Sequence, residues 1–205
     1  SIYSFDPTFR NPRSGQMAIA VEQEIDRATK VTIGYTRNST WNLQRRLDMN
    51  LFAPTILSNG NPVFPTQDAA GNLVPATGFN PATGAPIFTN AAGQTVAAKI
   101  ARPDPTLGQI NINKSVAHSR YDGLSVSLQR RMRKKWQMGF NYTYAFNRDD
   151  DTNERDFNRQ GSLNPFNLTM DSSFAKNDIR HRGNLNVLYD LGHGVGYRAR
   201  LRVDL

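Results

Sequence analysis

Apolar and polar residues alternate one for one through Trp136–Phe146. Trp136, Met138, Phe140, Tyr142, Tyr144 and Phe146 interleave with Gln137, Gly139, Asn141, Thr143 and Ala145. Just upstream, Leu124, Val126 and Leu128 alternate with Gly123, Ser125, Ser127 and Gln129. A period of two places alternate side chains on opposite faces of a strand, so both stretches predict β-strands joined by a short basic turn. The same period recurs over 16–26 (Met17, Ile19, Val21, Ile25) and from Thr29 toward Arg46 (Val31, Ile33, Tyr35, Trp41). It returns over 179–189 (Leu185, Val187, Tyr189) and 197–205 (Tyr197, Leu201, Val203). Short connections at 27–28, 131–135 and 192–196 separate the members of three pairs, whereas 52–107 and 149–177 are long. Residues 1–15, punctuated by Pro7, Pro12 and Gly15, are expected to be irregular.

One apolar and one polar face would suit either a soluble sandwich or a membrane barrel. Eleven residues of unbroken alternation, with Trp at one end and Tyr and Phe toward the other, fit a strand crossing lipid between two aromatic girdles. The expectation is therefore an all-β fold: a segment of an antiparallel transmembrane β-barrel, with about six strands in three hairpins. Trp136, Met138, Phe140, Tyr142, Tyr144, Phe146, Leu124, Val126 and Leu128 would face lipid. Short turns then lie on the periplasmic side and long loops outside. Gly108–Ala117 also alternates, through Ile110 and Ile112, but a separate crossing there would put the 131–135 turn outside. It reads instead as the outer extension of the Tyr121 strand. Residues 52–107 become a long extracellular loop; eight of the eleven prolines fall there, which excludes a central strand, although a minor hairpin fits. Residues 149–177 become a second, acidic and polar extracellular loop. Closed bacterial barrels start at eight strands, so 1–205 reads as a partial barrel domain.

Composition narrows the chemistry. No window approaches the ~18 consecutive apolar residues of a membrane helix. The chain has no cysteine, so no thiol nucleophile or thiolate metal site is available. The net charge of +8 is scattered over strands and turns, without a basic helix or an aromatic RNA-binding signature, and nucleic acid is not an expected partner. No Ser/His/Asp set has a recognisable spacing, and neither an enzyme nor a cofactor is expected. Gly192, Gly194 and Gly196 precede a strand rather than a helix and read as a tight turn. His118, His181 and His193 lack metal-ligand spacing. Asp149, Asp151 and Asn153 offer hard oxygens for calcium, but the glycine of an EF-hand loop is missing and a solvated acidic loop competes with that reading. Five arginines, Arg180, Arg182, Arg198, Arg200 and Arg202, alternate with the apolar residues of the last two strands and form a candidate basic patch on the lumen wall.

Three segments carry a resemblance: RPDPTLGQININKSVAHSRYDGLSVSLQRRM, WQMGFNYTYAFNRDDD and LNPFNLTMDSSFAKNDIRHRGNLNVLYDL. In their order and spacing, over Arg102–Leu191, they resemble the barrel of TonB-dependent outer-membrane receptors of the Oar-like kind. The resemblance implies a bacterial outer-membrane location and active uptake of a scarce, large ligand. It also implies lipid as a partner, together with the rest of the barrel, a plug domain outside this sequence, and TonB acting through that plug. A passive porin-like channel and a structural or adhesive surface protein remain the alternatives.

Overall fold

The computed structural model describes residues 1–150, 162–192 and 195–204. In chain order the strands are β1 (Ile2–Phe5), β2 (Arg13–Asp26), β3 (Thr29–Asp48), β4 (Thr55–Ile56), β5 (Pro62–Val63), β6 (Thr66–Gln67), β7 (Leu73–Val74), β8 (Ala76–Phe79), β9 (Pro86–Phe88), β10 (Ile110–Arg133), β11 (Trp136–Asp149), β12 (Ser173–Phe174), β13 (His181–Gly192) and β14 (Val195–Asp204). Six long strands form a meander in the order β2-β3-β10-β11-β13-β14, with β1 added beside β10 and β12 beside β11. The three expected hairpins are β2–β3, β10–β11 and β13–β14, each antiparallel. Gly108–Ala117 is no separate crossing: β10 runs unbroken for 24 residues.

Two compact units are distinguished: Ser1–Asn11 with Gln44–Val116 and Asn153–Asp171, and Pro12–Leu43 with Ala117–Thr152 and Ser172–Leu205. In the first, the expectation of an irregular start is corrected, because Ile2–Phe5 pairs in parallel with Ile110–Asn113. The proline-rich loop is more ordered than its composition suggests. It contains three small hairpins, β4–β5, β6–β7 and β8–β9. Their turns share one device: an Asx side chain accepts a backbone N–H two residues on, and a glycine with positive φ follows. The pairs are Asn59 with Gly60, Asp68 with Gly71, and Asn80 with Gly84; Asn90 with Gly93 repeats the pattern. The backbone N–H of Asn72, together with its side chain, also holds the Asp68 carboxyl below its ordinary pKa. Leu57, Val74, Ala76 and Phe88 meet in a small core. At the loop's base Asn50, 2% exposed, donates to the carbonyls of Asp104, Leu107 and Gly108 and accepts the Asp104 N–H. Arg102 pairs with Asp48 at 2.9 Å beside it, and Arg45 and Asp171 form a buried ion pair at 3.0 Å.

The second unit holds the expected alternation. Cross-strand partners share a face. The pairs Leu124–Tyr144, Val126–Tyr142 and Leu128–Phe140 put the first two stretches on one surface. Phe140–Leu185, Met138–Val187 and Leu185–Leu201 extend that surface across β13 and β14. None of its large apolar side chains is buried; Ile19 is 65% and Leu201 59% exposed. A sheet in water must cover such a face with a second layer, and nothing among the described residues covers this one.

The β10–β11 turn is built on Lys134 and Lys135, with φ of 51° and 71°, between paired Arg133 and Trp136. Two positive φ values in a two-residue loop make a type I′ turn, which Asn-Gly fills without steric cost. Replacing the pair with Asn-Gly is expected to stabilise the hairpin by about 1–2 kcal/mol. Urea unfolding of wild type and variant in the same vesicles checks this; an unchanged or lower midpoint contradicts it.

Candidate functional site

The opposite face of the second unit is polar and finely hydrogen-bonded. Ser127 Oγ donates to Asn141 at 2.8 Å, and Ser125 Oγ donates to the Gly34 carbonyl at 3.2 Å. A side chain at Gly34 would meet Ser125 Oγ at 3.0 Å, which explains the glycine there. Asn186 donates to Asn184 at 3.0 Å and accepts Arg200 Nε at 3.0 Å. The face carries a charge gradient. Glu22 and Glu24 stand on β2, with Lys30 bonded to Glu22 at 2.9 Å. At the other edge, Arg198, Arg200 and Arg202 lie opposite Leu188, Asn186 and Asn184, and Arg182 lies opposite Thr143 and Asp204. A groove of about 390 Å³ is lined by residues that include Gln129, Gln137, Asn141, Asn186, Arg198 and Arg200.

Arg180 does not join this patch, and the expectation that it does is corrected. It precedes β13, and its guanidinium lies 4.4 Å over the Phe146 ring and 4.2 Å over that of Phe174, held by Asp178 at 2.9 Å. Phe146 belongs to the apolar surface, so Arg180 stands with it. Four of the five arginines remain on the polar face. Of the calcium candidates, Asp149 pairs across strands with Ser119 and Ser173, while Asp151 and Asn153 lie outside the described residues, as does His193. The neighbouring Asp150 accepts the His118 backbone N–H at 2.9 Å. His181 sits at the start of β13, its Nδ1 2.7 Å from the Tyr142 hydroxyl.

The apolar surface is bounded by aromatics at both ends. Trp136, Tyr189 and Tyr197 form one cross-strand row beside the short turns, and Arg130 stacks 4.3 Å over Trp136. Tyr142, Tyr144, Phe146 and His181 form the other; the rings of Tyr144 and Phe146 are 4.9 Å apart, edge to face. Ten residues separate Trp136 from Phe146, about 33 Å along the strand, or about 25 Å of height at the usual barrel tilt. That matches the apolar band of an outer-membrane barrel. An uncovered apolar band between two aromatic rows, backed by a polar face with charged rims, defines a β-barrel sheet of the bacterial outer membrane. The chain belongs to the outer membrane beta barrel domain family, whose model matches residues 1–201. No curated protein and no solved structure matches the chain.

Proposed function

We propose that the chain forms part of a TonB-dependent transporter barrel, in which the apolar face lies against lipid and the polar face lines the path of the ligand. The observation that carries this reading is the polar face itself. Its middle bears small and amide side chains, and one edge sets Arg198 and Arg200 on the same groove. Cations that close repel one another unless anions or acidic groups screen them. An anionic ligand, or carboxylates of a plug, would supply the screen. The resemblance over Arg102–Leu191 supports the TonB-dependent class, and six strands leave β2 and β14 to pair with further strands of a larger barrel. The role is transport rather than catalysis.

A passive channel shares every one of these sheet features, so the test addresses energy coupling. The full-length protein in detergent is expected to bind the periplasmic domain of TonB and to pass little current in a planar bilayer. Replacing Arg200 and Arg202 together by Gln is expected to raise that current, because a plug held by the arginines loosens. A steady wild-type conductance without TonB binding identifies a passive channel instead.

A further inference from the structure

Cations also stand on the lipid side of the sheet at the end away from the short turns. Arg120 and Arg148 are direct cross-strand partners, two pairs beyond the Asp122–Phe146 pair and on the same face. Like charges placed directly opposite destabilise a sheet unless an anion lies between them. The carboxylate bonded to Arg120 is Asp122, and it is already shared. It accepts Arg120 Nε and the Tyr35 hydroxyl, and Arg37 approaches it at 3.8 Å. Arg148 meets no carboxylate among the described residues; it lies 4.6 Å over Phe174, the same ring that Arg180 covers. Three guanidinium groups, Arg37, Arg120 and Arg180, thus share two carboxylates, Asp122 and Asp178, and Arg148 pairs with neither. Arg120, Asp122, Phe146 and Arg148 line an open pocket of about 250 Å³.

The depth of this pocket decides what can enter it. The Arg120–Arg148 pair stands two residues, about 6–7 Å along the strand, beyond the last row of the apolar band. It lies at the end where the long connections leave the sheet, which in these barrels is the outer side. Aromatic rings below and guanidinium groups above suit a molecule that is apolar below and anionic above. Arginine forks match phosphate oxygens in pairs. We propose that Arg37, Arg120 and Arg148 form a binding site for the phosphate of an outer-leaflet lipid headgroup, with the acyl chains lying down the Phe146 side of the sheet. This site rests on the outer-membrane location alone and stands or falls independently of the TonB-dependent reading.

The test uses full-length protein in phosphatidylcholine vesicles that contain either diphosphorylated lipid A or lipid A stripped of both phosphates. Lipid retained after detergent extraction is counted by native mass spectrometry. The phosphorylated lipid is expected to be retained at least about tenfold better, as one charge-assisted hydrogen bond to phosphate supports. Replacing Arg120 and Arg148 by Gln should remove that preference. Replacing Lys134 and Lys135 by Gln removes the same charge at the opposite rim and should leave the preference intact. Equal retention of the two lipids by wild type overturns the proposal without recourse to any variant. Loss of the preference in both double variants also overturns it, because net charge would then be responsible. Displacement of the lipid by millimolar inorganic phosphate identifies a free-phosphate site and overturns the lipid assignment.

Discussion

Phe140→Arg is expected to lower the free energy of unfolding in lipid vesicles by about 2–4 kcal/mol, the cost of a cation at mid-bilayer on the lipid side of a barrel strand. Phe140 lies between Leu128 on β10 and Leu185 on β13, in the middle of the apolar band. One residue away, Asn141 stands on the polar face and accepts the Ser127 hydroxyl. Asn141→Arg therefore places its guanidinium in water and should cost far less. Urea titrations of the two variants, followed by tryptophan fluorescence, measure the difference directly. Equal losses would mean that the two faces do not meet different solvents, and the assignment of the apolar face to lipid would fail.

A comparable loss is expected at Asn50, for a different reason. Its carboxamide donates to three carbonyls and accepts one N–H, so it closes the base of the 52–107 loop in place of a strand ladder. Removing one partner from a buried group costs about 1–3 kcal/mol, and Asn50→Ala strips three such groups, while the Gly108 carbonyl keeps Arg102 and water regains part of the other contacts. A local loss of about 2–4 kcal/mol follows, read as amide hydrogen exchange at Asp104 that is faster by about thirtyfold or more. Exchange at Phe140, deep in the sheet, should stay unchanged. Unaltered protection at Asp104 would show that other contacts hold the loop closed.

The strands were legible because a period of two is a local property: Trp136–Phe146 shows its two faces without reference to any partner. The pairing of the hairpins followed from the lengths of the connections. What escaped was set by contacts between distant residues or by side chains outside a regular strand. Arg180 alternates with Leu185 and Val187 only if its residue is extended within β13. Its residue instead precedes the strand, so the guanidinium is free to follow the rings of Phe146 and Phe174. Strand β1 has four residues and no period of its own; its parallel pairing with Ile110–Asn113 lies about a hundred residues away in sequence. The loop hairpins did carry a local signal. Asn59-Gly60, Asp68 through Gly71, and Asn80 through Gly84 each pair an Asx with a nearby glycine, but the prolines and the twofold PATG masked that rhythm.

The uncovered apolar face has a consequence for how this molecule comes into being. In a sandwich, the second sheet supplies the driving force that holds the first, and the pair can form in water before anything else happens. Here that force belongs to the bilayer, so closing the hairpins and entering the membrane are one thermodynamic event. Until that event the exposed edge of β2, with Met17, Ile19 and Val21, is an adhesive surface in an aqueous compartment. The final stability of the sheet therefore depends on how closely the thickness of the receiving bilayer matches the distance between the two aromatic rows.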